Sequence, residues 1–108
     1  MIISYKTEEL RDYFRLPATA LVRYGPTIAR KLAVRFADLC ALQEASGLAA
    51  LGAQECEFSG APAIMVPITT DFGIFLVANH PKKKAESLDW SNVTRVKIAK
   101  IGSQDEQG

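Results

Sequence analysis

The stretch from Phe72 to Ile101 constrains the fold more than any other part of the chain. It opens with an apolar run, Phe72-Gly-Ile-Phe-Leu-Val-Ala78, which has no polar face and so reads as a strand buried on both sides. It closes with Val93-Thr-Arg-Val-Lys-Ile-Ala-Lys-Ile101, whose period-two pattern sends Val96, Ile98 and Lys100 one way and Arg95, Lys97, Ala99 and Ile101 the other. The second set gives the closing strand a largely basic outer face. Everything upstream reads as material that covers this sheet or feeds into it.

A chain of 108 residues, 48% hydrophobic, fits a single domain with one core, expected to span residues 1–101 with a mobile tail over 102–108. Thirteen Lys and Arg against twelve Asp and Glu leave a formal charge of +1, which excludes a globally basic binder of nucleic acid. Any electrostatic footprint must therefore be local. Cys40 and Cys56 lack the paired spacing of a zinc site and read as buried free thiols, so neither a metal nor a cofactor is expected. With no secretory start and no apolar run of about 18 residues, the expectation is a soluble cytoplasmic protein without a membrane partner.

Residues Ile2 to Lys6 form a short β-prone segment suited to a sheet edge. Thr7 can cap a helix whose first turn carries Glu8 and Glu9, with Leu10, Tyr13 and Phe14 as its packing side and Pro17 as its stop. Gly25-Pro26 then reads as a helix start, and Ile28, Leu32, Phe36, Leu39 and Leu42 form one stripe to about Ala45, where Ser46-Gly47 ends it. Arg30, Lys31, Arg35 and Asp38 fall on the remaining surface, either as a solvated face or as a contact for an acidic partner or an RNA backbone. Leu48 to Gly60 reads as irregular, and Ala63 to Ile68 as a strand whose Pro67 belongs at an edge, bulge or end. The resulting expectation is an α+β fold, β-α-α-β-β-β, with two helices packed on one face of a small antiparallel sheet.

Three phrases, Tyr24-Gly-Pro-Thr-Ile-Ala-Arg-Lys-Leu32, Leu76-Val-Ala-Asn-His-Pro81 and Leu88-Asp-Trp-Ser-Asn-Val-Thr-Arg-Val-Lys-Ile98, resemble the HigB-like branch of the RelE/ParE toxin superfamily, whose members are also described as plasmid-maintenance killer or killer-suppression proteins. The resemblance covers nearly the whole chain. It implies the toxin of a bacterial type II toxin-antitoxin pair, with a helix-turn-helix antitoxin as partner and the ribosome, messenger RNA and self-association as further candidates. RelE- and HigB-type toxins cleave message in the ribosomal A site; ParE-type toxins on the same scaffold inhibit gyrase.

Metal-free RNA cleavage needs a base for the ribose 2′-hydroxyl, an acid for the leaving oxygen and cations for the phosphate. The family pattern supplies these from a histidine or lysine before the second strand, an arginine on the third and an Asp-Tyr-His ending; the matching positions here hold Glu57 and Ser59, then Gly73, then Ser103-Gln104-Asp105. Substitutes are His80, Arg95 and Lys97 as catalytic residues, with Arg30, Arg35, Lys82, Lys83, Lys84 and Lys100 binding RNA or a partner. Each has a plainer alternative: His80 as a loop histidine bonded to backbone, and Lys82-Lys83-Lys84 as a solvated turn. Trp90 either anchors its loop on the sheet or stacks a base. Two function classes stay open, a ribosome-dependent mRNA endonuclease and a non-catalytic protein binder.

Overall fold

The fold is described from a computed structural model over residues 1–78 and 93–103. Strand β1 (Ile2–Tyr5) leads into helix α1 (Glu8–Arg15) and the long kinked helix α2 (Pro17–Ala41), then a 3-10 turn (Ala45–Leu51) and four strands. These are β2 (Gln54–Phe58), β3 (Ala61–Pro67), β4 (Phe72–Ala78) and β5 (Arg95–Ser103). The class is α+β, as the sequence suggests. Among the described residues no helix is long and apolar enough to cross a membrane.

Local chemistry accounts for the helices. The Thr7 hydroxyl accepts the Leu10 N–H at 3.1 Å and so satisfies one of the orphan donors of α1, beside the first-turn carboxylates Glu8 and Glu9. Leu16, held extended by the proline after it, ends α1, but Pro17 also occupies the first position of α2. Residues 17–24 are therefore helical, where only a stop was expected. Gly25, at φ 87 and ψ 167, breaks the axis, and Pro26 restarts it in the place where a helix start was expected. The stripe on the second limb buries Leu32 and Leu39 fully and Ile28, Phe36 and Leu42 in part. The helix ends at Ala41, short of Ala45, because the Ala45 N–H is taken at 2.8 Å by the Val93 carbonyl outside the helix.

The segment expected to be irregular holds two elements. The 3-10 turn buries Ala45 and Leu48 and is closed by Gly52 at φ 82. Next, β2 and β3 form a hairpin through Ser59 (φ 53) and Gly60 (φ 80), a pair of left-handed residues that matches the twist of the flanking strands.

The strands lie in the order β1-β5-β4-β3-β2. Neighbours from β2 to β5 are antiparallel, while β1 runs parallel to β5, so the sheet is five-stranded and mixed, not small and antiparallel. The reason is topological: the chain leaves β1 through the helices, enters the meander at the far edge, and finishes alongside β1. The last strand continues through Gly102 and Ser103, which pair with Gly73 and Phe72, so the tail cannot begin at Gly102.

One face of the sheet carries both helices. Leu10, Ala20, Leu32 and Leu39 pack there against Ile64, Val66, Ile74, Leu76, Val96 and Ile98. Stacking of Phe14 on Phe36 at 5.0 Å, with Tyr5 6.1 Å and 6.4 Å from those rings, ties β1, α1 and α2 together. The other face bears a smaller cluster of Phe58, Ala63, Met65, Phe75 and Ala99. Strand β4 is thus covered on both sides, as its apolar run requires. Cys40, by contrast, is exposed, one position round the helix from buried Leu39, and Cys56 is half-buried; the expectation of two buried thiols fails at Cys40.

Candidate nucleic-acid interface

The face of the sheet away from the helices is built by alternation and one irregularity. Val96 and Ile98 point into the helix-side core, so Arg95 and Lys97 point to the open side. Between Leu76 paired with Ile98 and Phe75 paired with Lys100 the register slips, leaving Ala99 as an extra residue. This β-bulge inverts the alternation beyond it. Lys100 therefore lies opposite Phe75 on the open face and Ile101 opposite Ile74 in the core, the reverse of the strict period-two expectation.

The bulge has an electrostatic consequence. Arg95, Lys97 and Lys100 share one face, with the Lys100 Nζ 5.6 Å from the centre of the Phe75 ring. Across the sheet, Phe58 on edge strand β2 lies 6.3 Å from Phe75, and the Nζ of Lys6 stands 5.0 Å over the Phe58 ring. Lys6 follows β1 at the opposite edge and extends its ladder, its N–H donating to the Ile98 carbonyl at 2.9 Å. In a flat five-stranded sheet those edges are about 19 Å apart. A lysine from one edge reaches a phenylalanine from the other because the open face is curled inward around Met65, Phe75 and Ala99.

The residues enclosed by this curl are apolar and buried, and the charged residues that flank them are cationic. Register and alternation place Gln54, Cys56 and Phe58 of β2 on this face and turn Glu55 and Glu57 to the other. The described strand residues of the open face thus include Arg95, Lys97 and Lys100, joined by Lys6, and no carboxylate. Burial pushes the Cys56 thiol up from its ordinary range, which keeps it protonated and unsuited to nucleophilic work.

The predicted site residues divide into separate groups. Arg95, Lys97 and Lys100 come together on the open face. Arg30 and Arg35 belong to α2, on the opposite side of the sheet; Arg35 is held by Asp38 at 3.1 Å, and Arg30 lines a hollow with Lys31, Val34 and Ile68. Arg30 and Arg35 thus lie on the other side of the sheet from Lys100. His80, Lys82, Lys83, Lys84 and Trp90 lie outside the described residues.

Among the described residues, the positions that the resemblance matches to an acid, base and arginine do not come together, and Gln104 and Asp105 lie outside the described residues. Glu57 projects from the face opposite Lys97, Ser59 sits in the β2-β3 turn, and Ser103 pairs with Phe72 at the end of β5. Gly73 does lie on the open face, but Met65 fills the space that a side chain there would need. Lys6 and Phe58 were not singled out by sequence reasoning. Phe58 carried a faint signal, apolar with Cys56 at strand spacing; Lys6 carried none, because its place depends on the curl of the whole sheet. Comparison with protein-family models, with curated proteins and with solved structures returned no match for this chain.

Proposed function

We propose that this chain is a toxin of the RelE/ParE superfamily, HigB-like branch, with a RelE-like arrangement of helices and sheet, and that its inward-curled face receives a single strand of messenger RNA. The observation that carries the reading is that Lys6 and Lys100, set over the Phe58 and Phe75 rings, share one face of the sheet with Arg95 and Lys97, with no carboxylate among the described strand residues there. Cations track a phosphate backbone without regard to sequence, and the buried rings beneath them fix where the lysines stand. Along β5 the roots of Arg95 and Lys97 are about 7 Å apart, comparable with the phosphate repeat of an extended strand.

In a cleavage step at this face, Arg95 and Lys97 stabilise charge on the phosphate, and His80 is the proton-transfer group the sequence offers. The reading of a non-catalytic member that binds an antitoxin or gyrase is favoured by a different observation: Gly73 stands where the family pattern expects an arginine, and Met65 closes the gap. Induced expression with and without a neighbouring helix-turn-helix protein, followed by mapping of message 5′ ends, separates the two. Growth arrest with A-site cuts supports the nuclease, and cuts that survive His80→Ala with Arg95→Ala overturn the residue assignment. Arrest with intact message and DNA damage supports gyrase inhibition. Direct binding of single-stranded RNA, followed against salt, tests the face itself: Lys97→Ala and Lys100→Ala each lower the slope of log affinity on log salt by about 0.7. Unchanged slopes exclude the open face as the binding surface.

A further inference from the structure

The helix layer, on the far side of the sheet from the proposed RNA face, carries two patches of opposite charge. Of the five large apolar residues left exposed among the described residues, Ile2 (60%) lies on β1 and the other four, Leu16 (52%), Leu21 (48%), Val22 (86%) and Val34 (56%), belong to α2 or its N-cap. Val22 and Val34 each stand beside charged neighbours on this helix, an arrangement that suits a contact surface. Val22 lines an open groove of about 930 Å³ against α1, with Glu8, Glu9 and Asp12 on its wall. Val34 lines a hollow of about 260 Å³ with Arg30, Lys31 and Arg35.

The two patches repeat the same helical geometry. Residues 18, 19, 22 and 23 of α2 line the first, and residues 30, 31, 34 and 35 line the second, twelve positions further on. A point midway between them falls at Pro26–Thr27, beside the Gly25 kink. If two copies of α2 cross antiparallel about a twofold axis at that point, residues 18–23 of one face residues 30–35 of the other, and the reverse holds at the same time. A surface of this kind is self-complementary, as a closed twofold dimer demands. Arg23, the cation in the acidic groove, leans over the Tyr24 ring at 5.2 Å, and Asp38, the acid near the basic hollow, is paired with Arg35. Asp12 is paired with Arg11 at 3.5 Å, so Glu8 and Glu9 in the groove and Arg30 and Lys31 in the hollow are the charges that stay opposite in sign.

We infer that the chain forms a homodimer through α2, in which the Glu8–Asp12 groove of each copy receives the Arg30–Lys31 face of the other and Val22 and Val34 are covered. This goes beyond the proposed RNA face, which the dimer leaves open, so either can fail without the other.

Sedimentation equilibrium on the full chain at low salt tests it over a concentration series. The weight-average mass is expected to rise twofold with concentration and to stop there, and 0.5 M salt is expected to weaken the association about tenfold or more by screening its rim. Glu8→Lys with Asp12→Lys, which spares the Glu9–Tyr13 hydrogen bond, yields monomer, as does Arg30→Glu with Lys31→Glu. Mixing the two variants restores a dimer, because both reciprocal contacts become attractive again. Val22→Asp, at an exposed position that folding does not need, also yields monomer while far-ultraviolet dichroism is unchanged. A wild-type chain that stays monomeric to the highest concentration overturns the proposal. So does a dimer indifferent to these charges, a mixture that stays monomeric, or growth past the dimer.

Discussion

A β-carbon on Gly73 of β4 would stand 2.5 Å from the sulfur of Met65 on β3. The Val66 carbonyl oxygen, 3.1 Å from the same point, adds a neighbour that cannot rotate away. Gly73→Ala is therefore expected to cost about 1–3 kcal/mol through overpacking. In a Met65→Ala background the same change is expected to cost less, with a coupling of at least about 0.5 kcal/mol in a double-mutant cycle followed by urea unfolding. Equal costs in the two backgrounds refute the apposition.

Gly25 sits at φ 87 and ψ 167, and no heavy atom lies within 4 Å of where its β-carbon would stand, so a side chain there meets a backbone objection and no steric one. Gly25→Ala should lower stability by about 1–3 kcal/mol while helical content changes little. A neutral Gly25→Ala in chemical denaturation, with an unaltered dichroism spectrum, means the kink relaxes into a continuous helix.

Thr7 is the side-chain cap of α1, and Thr7→Ala should cost about 1 kcal/mol, whereas Thr7→Asp, which keeps an acceptor and adds a favourable charge at the helix N-terminus, should be near neutral. Thermal midpoints of the two variants supply the comparison. A Thr7→Asp loss equal to that of Thr7→Ala removes the capping argument.

Tyr24 packs edge-on against Tyr13 at 5.1 Å and Phe72 at 5.2 Å. Burial, reinforced by neighbouring Tyr13, pushes its hydroxyl up to about 12 from 10.0. A folded value above the unfolded one means the native state keeps its proton while the unfolded chain loses it. The stabilisation is therefore complete below pH 10 and disappears as pH rises towards 12. Stability of the wild type should fall more steeply across that window than that of Tyr24→Phe, and parallel curves exclude Tyr24 as the cause.

Local rules made several elements legible. Thr7 before two glutamates, Gly25-Pro26, and the Leu32–Leu39 stripe each carry their signal within one or two turns, and each lies where that signal puts it. The apolar run of β4 likewise foretold a strand covered on both faces. Pro17 was half read: a residue that forbids helix before it also favours helix after it, and residues 17–24 use the second property. Strand β2 was missed because Gln54-Glu-Cys-Glu57 offers little hydrophobic contrast, so its strand character comes from pairing with β3. The bulge at Ala99 and the inward curl that delivers Lys6 to Phe58 are set by strands distant in the chain, and no window of residues contains them.

The parallel pairing of β1 with β5 joins Ile2 to Arg95 and Tyr5 to Ile98. Because β5 lies between β1 and β4, the first strand has no sheet partner among its chain neighbours and must wait for nearly the last. Closing so long a loop is entropically slow, and it comes after the helices and the β2–β4 meander have the means to form from nearby contacts. During synthesis the opening residues therefore remain unpaired until β5 has left the ribosome, and any pause or break before Arg95 yields a chain with two exposed ladder edges where the finished sheet has its interior.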